Sequence, residues 1–415
     1  MTDEPDVLII GAGPAGLGAA QALARRGVTD VQVLEREPHA GGMPLFCPHP
    51  TFGLSEFRRP MSGPAYAQRL LGGVDKSQIA MRCTVTAISP DLEVSVSTPN
   101  GMWTVQPRRI LVATGIRETP RSARLVSGDR PRNVLTTGAL QRLVAENEKL
   151  PFGHPVVIGS ELVAFSALLT LRDAGVRAVA MLEAAPRITA NRPADWFARL
   201  ALGTPVFTST RLVAINAAPT DAGRVHSVTV ADVSGEQRDL ACDAVLFTGA
   251  FVPEASVLAG LPAGMLHRIS RAPLVDQDWR LANPRVYAAG NVLRSVETAA
   301  WSHREGIAAG EAMADDILSG IPIEGRRVPI VCTGPVTASV PAAVVVPGGP
   351  PGPLQMQVRM ARAARGRFTI AIDGRIVWRS APTTALPERR IGLSRQLPPL
   401  DDVTTVEIGF EEAPV

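Results

Sequence analysis

Four apolar residues, Val7-Leu8-Ile9-Ile10, run directly into Gly11-Ala12-Gly13-Pro14-Ala15-Gly16. The apolar run reads as a strand buried on both faces, and the residues after the glycines, to Arg26, read as a helix. Each glycine of this G-x-G-x-x-G pattern has its own requirement. Gly11 makes the tight turn off the strand, Gly13 lets backbone approach a pyrophosphate, and Gly16 lets the helix lie close to the sheet. The helix start supplies free N–H groups and partial positive charge for phosphate. A second strand, Val31 to Leu34, ends in Glu35, 24 residues after Gly11, where a carboxylate meets ribose hydroxyls. The opening stretch therefore predicts a Rossmann-like βαβ unit that binds a dinucleotide.

Later segments repeat the theme. Ile110-Leu111-Val112-Ala113-Thr114-Gly115 and Ala244-Val245-Leu246-Phe247-Thr248-Gly249 are buried strands ending in Thr-Gly. Between them a second unit starts with strand Val156-Val157-Ile158-Gly159, helix Glu161 to Asp173 and strand Arg177 to Leu182. It ends in Glu183, again 24 residues after its first glycine. Its fingerprint is broken, because Glu161 stands where Gly13 stands in the first copy. A side chain there takes the pyrophosphate's place, and a carboxylate adds like-charge repulsion. The fold is expected to survive while nicotinamide dinucleotide binding is lost or weakened; in the opposite reading Glu161 swings aside and NAD(P) still binds. Val286-Tyr287-Ala288-Ala289-Gly290-Asn291 closes the pattern, followed by a helix over about Thr298 to Ile317.

From Val328 the character changes. Pro341 to Pro353 reads as a proline- and glycine-rich loop. Leu354 to Met360 alternates apolar and polar residues, and Asp373-Gly374 signals a hairpin turn between Phe368–Ile372 and Arg375–Trp378. The expected fold class is α/β, with two Rossmann-like domains, the second inserted in the first, plus a small C-terminal all-β domain. Expected boundaries are 1–121 and 246–325 for the first domain, 122–245 for the insert and 326–415 for the tail.

Charge and cysteine usage narrow the function. The 42 basic and 39 acidic residues are too balanced to argue for nucleic acid. The start, Met1-Thr2-Asp3-Glu4, excludes a secretory n-region, and no apolar stretch is long enough for a transmembrane segment, so a cytoplasmic location is expected. Cys47, Cys83, Cys242 and Cys332 form no close pair, which argues against dithiol chemistry, a zinc site or a cluster held by this chain. Cys47 reads either as a single catalytic thiolate activated by His49 or as a small buried residue. His303 and Arg304 read equally as cofactor contacts or surface groups, and Glu297 as a solvated or capping carboxylate, with a general base as the lesser reading.

This order of motifs resembles the pyridine nucleotide–disulfide oxidoreductase superfamily, the two-dinucleotide-binding-domain flavoproteins, over residues 5 to about 320. A narrower likeness lies in Gly41–Leu54, Gly63–Ala67, Pro120–Arg124 and Val296–Trp301. These stretches resemble the FAD-binding alpha-type subunits of heteromeric opine oxidase, hydroxyproline dehydrogenase, sarcosine oxidase and hydrogen cyanide synthase. The resemblance implies FAD bound by Gly11, Gly13, Pro14, Ala15, Gly16, Glu35, Arg36, Gly42, Met43, Val85, Thr114, Gly115, Gly290, Asn291, Thr298 and Ala299. It also implies a partner flavoprotein of the amino-acid-oxidase type and a small iron–sulfur subunit. The departure is the tail, which is β-rich where several such relatives carry a cysteine-rich cluster segment.

Overall fold

The computed structural model describes residues 3–190, 196–219, 221–294, 296–319, 325–346, 353–387 and 389–413. The chain divides into two compact units. One comprises residues 1–42, 69–116 and 252–415, the other residues 43–68 and 117–251.

The first unit is built on a parallel five-stranded sheet in the order Val286–Ala288, Arg109–Val112, Val7–Ile10, Val31–Glu35, Ile79–Met81. Its central strand is buried throughout, as an all-apolar strand flanked on both edges must be. Helix Pro14–Arg25 leaves it with proline in its first turn, where a missing N–H costs nothing. The helix lies against the long helix Ala299–Ser319, and the two touch through small residues. A Cβ on Gly306 would sit 1.9 Å from Ala15 O, and one on Gly310 would sit 2.6 Å from Ala19 O. Thr84–Ile88, Val94–Thr98 and Gly101–Val105 form an antiparallel meander over the other face, and Ile88, Val94, Val96 and Val105 share one core with Leu8, Ile110 and Val286.

The β-rich tail belongs to this same unit. Strands Ala343–Val346, Arg326–Cys332, Val406–Glu412, Ala364–Ile372 and Arg375–Arg379 form one sheet, with Thr383–Ala385 paired to Ala364–Gly366. Val336–Val340, Leu354–Met360 and Ile391–Arg395 form a second. Asp373 and Gly374 both have positive φ, as the hairpin turn expected there requires. The loop expected over Pro341–Pro353 is only partly one. Ala343–Val346 is a fully buried strand paired with Arg326–Pro329, because four consecutive apolar residues outweigh the flanking prolines; positions 347–352 lie outside the described residues. The tail is joined to the rest of its unit by Ala342 N donating to Val275 O at 2.8 Å and by an Arg327–Asp276 ion pair at 3.1 Å.

The second unit repeats the parallel design with Val134–Thr136, Ala244–Phe247, Pro155–Ile158, Ala180–Leu182 and Val206–Phe207. An antiparallel sheet of Arg211–Ala218, Asp221–Ala231 and Gln237–Ala241 packs on it, through a core joining Ile215, Val228 and Val230 to Val156, Leu182 and Val245. Helices Thr137–Ala145 and Leu162–Asp173 cover its other face.

Candidate functional site: a flavin cradle and its altered copy

The strand ends of the first unit converge on one cradle. Gly11 has φ +104°, and a Cβ on it would lie 2.6 Å from Ala113 O. A Cβ on Gly16 would lie 1.9 Å from Gly11 O, so the helix approaches the sheet as closely as only glycine permits. Gly42, at φ +66°, packs its α-carbon face on Gly13, whereas a Cβ on Gly13 would meet nothing nearer than 3.9 Å. That open face at a helix start is where a pyrophosphate fits. Ala15 touches the position of a Cβ on Gly290, bringing the closing strand to the same place. Glu35 accepts from Ala12 N at 2.8 Å and Glu37 N at 3.0 Å. Burial raises its carboxyl above the usual range, and those two donors oppose the shift. Thr114 Oγ1 donates to Glu254 O at 2.5 Å, and Glu254 N donates to Gly115 O, fixing the Thr-Gly corner. Val85 is a buried strand residue beside the sheet, and Arg36 is exposed just past Glu35. The residues present fit FAD.

The segment from Gly290 to the last helix is more tightly engaged than its sequence suggests. Asn291 Oδ1 accepts from Glu297 N at 2.7 Å, and its Nδ2 donates to Glu297 O at 3.2 Å, so its side chain is spent on closing this loop. Thr298 caps the helix, accepting from Trp301 N at 3.3 Å, and the helix begins at Ala299. Glu297, expected to be a solvated or capping carboxylate, is not solvated: it is buried, with Arg359 and Arg390 on its two oxygens. The partners come from the tail, more than 60 positions away, which no local pattern signals. Arg294 is buried beside it, Nη1 has no hydrogen-bond partner, and burial lowers its guanidinium to about 9. His303 is not at the surface. It lies in the helix crossing, its ring against the Gly18 position, with Nε2 3.1 Å from Gln21 Oε1. Arg304 stacks on Trp301 at 4.8 Å.

In the second unit the copied cradle is filled from within. Glu161 precedes helix Leu162–Asp173, and its carboxylate oxygens lie 2.8 and 3.4 Å from where a Cβ on Gly159 would be. A Cβ on Gly249 would lie 2.9 Å from Glu161 Cδ. The carboxylate thus covers both glycine strand ends. Burial raises its carboxyl above the usual range, and its Oε1 is buried without a partner. Arg124 faces it electrostatically while donating to Thr248 O at 3.0 Å and Gly249 O at 2.7 Å. Glu118 occupies the other helix start, accepting from Thr137 N at 3.1 Å and Gly138 N at 2.7 Å. Glu183 is bound by Ser160 Oγ and Ala185 N. A carboxylate of this chain thus stands at each helix start, Glu118 hydrogen-bonded to its first N–H groups and Glu161 packed against the glycine strand ends. Glu161 was legible as an interruption of the glycine pattern; Glu118, 19 residues before its helix, was not.

Cys47 and Met43 stand in the second unit. Cys47 is buried, its Sγ 3.5 Å from Met43 O, and burial pushes its thiol up to about 12. His49 contributes no activation, because its Nδ1 meets Thr51 Oγ1 at 2.9 Å and its Nε2 meets Ser166 Oγ at 2.6 Å, and burial lowers its own pKa. The geometry favours the small buried residue over a thiolate. All four cysteines are free, and no group of three or more metal-ligating side chains exists among the described residues. No described helix is long and apolar enough to cross a membrane.

Residues 5–306 match the pyridine nucleotide-disulphide oxidoreductase family, and the chain belongs to it. By its family this chain is an oxidoreductase, and the residues of its first cradle fit FAD. It is 28% identical to an opine oxidase subunit of Rhizobium meliloti over 188 residues, 43% of this chain and 39% of that one. The chain thus spans well under half the length of that relative. It is also 28% identical to thioredoxin reductase of Treponema pallidum over 298 residues, 70% of this chain and 90% of that one. Among solved structures, T. acidophilum thioredoxin reductase superposes with a TM-score of 0.62 at 20% identity, covering 76% of this chain and all of that one. L-proline dehydrogenase of P. horikoshii superposes at 0.57 and 18% identity, covering 76% of this chain and 56% of that one.

Proposed function

We propose that this chain is the FAD-bearing subunit of a heteromeric dehydrogenase or oxidase, whose partner flavoprotein oxidises an amine, an imino acid or a 2-hydroxy acid. The observation that carries this reading is Glu161. The cradle of the first unit is open at Gly13, while its counterpart in the second is filled by that carboxylate, so a nicotinamide donor has no open seat at the helix start. Chemistry at Cys47 is disfavoured by its burial. Electrons then reach or leave the flavin through a second protein, and the likeness to opine oxidase subunits supports an assembly of that kind.

The test is anaerobic reduction of the purified yellow chain, alone and with proteins that co-purify with it. NADH and NADPH are expected to leave the flavin oxidised, while the complex with an opine or L-proline bleaches it. Bleaching of the isolated chain by NADH would establish a free-standing reductase, the reading that the thioredoxin reductase likeness favours. A flavin that neither route reduces would make the chain a scaffold that keeps FAD for its structure.

A further inference from the structure

The loop from Gly290 to the last helix is held by buried charge that the C-terminal β-module contributes. Glu297 lies immediately before the helix cap Thr298. Arg359, on the strand Leu354–Met360, meets its Oε1; Arg390 meets its Oε2 at 2.9 Å; and Arg294 Nε approaches to 3.8 Å. Arg390 also stacks on Trp301, 3.8 Å from its ring centre. A second buried carboxylate, Glu305, accepts from Gly290 N at 3.2 Å and Trp301 Nε1 at 2.6 Å, and is paired with Arg294. Three guanidiniums thus face two carboxylates.

Buried ion pairs of this kind seldom raise stability above that of apolar packing. What they do set is the electrostatic potential at the helix start. A bare carboxylate before Thr298 would cancel the positive end of the helix dipole, whereas a carboxylate covered by two guanidiniums leaves it positive. A reduced flavin gains negative charge, and a positive environment favours that state.

We propose that Arg359 and Arg390 are positioning residues for the flavin: by neutralising Glu297 from the C-terminal module, they keep the start of the last helix electropositive and set the flavin's reduction potential. This rests on the assignment of Gly290–Ala299 to the flavin side of the cradle. It gives the tail, which lies beyond the matched family span of residues 5–306, a role in the redox chemistry.

The experiment is a spectroelectrochemical titration of the full-length, FAD-loaded chain. Glu297→Gln removes the negative charge and is expected to raise the midpoint potential. Arg390→Ala exposes the charge and is expected to lower it. Each shift corresponds to about a tenfold change in the ratio of affinities for reduced and oxidised flavin, or about 30 mV for a two-electron couple. The double variant Glu297→Gln/Arg390→Ala is expected to return towards the parent value, and Arg390→Lys to stay close to it. If Arg390→Ala does not fold, Arg359→Gln takes its place. A purely structural role would move both single variants in one direction or leave both unmoved in a yellow protein, and either result overturns the proposal while the cofactor assignment stands. A parent chain that stays colourless with excess FAD overturns both.

Discussion

Glu161 and Cys47 show what one side chain decides. Removing the carboxylate with Glu161→Gly restores the glycine that the first copy has at Gly13 and clears the space over Gly159 and Gly249. The variant is expected to gain NADH affinity, to a Kd below about 1 mM, about 4 kcal/mol of binding, read by calorimetry on the full chain; an unchanged lack of binding would show that Glu161 is not the obstruction. With its thiol pushed up to about 12, Cys47 holds a negligible thiolate fraction at neutral pH, and the fraction grows only as pH approaches that value. Iodoacetamide should therefore leave native Cys47 unmodified at pH 8 and label it readily in urea. Cys47→Ser should keep partner-driven flavin reduction within about twofold, since burial keeps this thiol protonated and so unsuited to act as nucleophile or base. At this scale the glycine pattern and its interruption were legible because each position is fixed by local geometry. The burial of Glu297 under Arg359 and Arg390 was not, because its cause lies in residues distant along the chain.

Elements whose fate is set by periodicity are legible in the sequence. The strand Ala244–Phe247 and the helix Leu162–Asp173 occur where their apolar runs put them. The strand Ala343–Val346 was hidden because prolines and glycines on either side outweigh four residues in any local reading, whereas in the folded chain Arg326–Pro329 supplies the missing partner. The packing of helix on helix was likewise invisible, yet it aligns the cradle. The first and last helices meet at Gly18, Gly306 and Gly310. Gly306→Ala would drive a Cβ to 1.9 Å from Ala15 O, a backbone atom in the first turn beside the cofactor cradle. Overpacking of this sort costs roughly 1–3 kcal/mol, and because the displaced turn carries Ala15 and Gly16, FAD affinity should fall together with the unfolding midpoint. Gly392→Ala, where an added Cβ meets nothing within 4 Å, should change neither. Equal loss from both substitutions, measured by flavin fluorescence and thermal melting, would contradict the helix-crossing argument.

Across the whole molecule the order of nucleotide motifs was legible, and with it the double Rossmann plan, because each motif marks a strand end. How the tail attaches was not, since the change of character from Val328 says nothing about what the new segment packs on. The attachment includes Asp276, which is buried, ion-paired to Arg327 of the tail and bonded to Asp278 N and Arg280 N. Burial raises its carboxyl to about 6, against the lowering effect of Arg327 and of those N–H donors. The folded value lies above the unfolded one, so folding takes up a proton here. The resulting stability is fully present below about pH 4 and is lost as pH rises through 6. A rise of two pKa units corresponds to on the order of 3 kcal/mol. Asp276→Asn keeps the shape and removes the titration. Between pH 4 and pH 7.5 the variant should therefore gain stability relative to the parent chain by up to about that amount. Flavin release in urea, followed by fluorescence at both pH values, reads the unit that contains the joint. A stability difference that stays constant with pH would mean that Asp276 is fully ionised throughout, with Arg327 and the backbone donors compensating its burial in full.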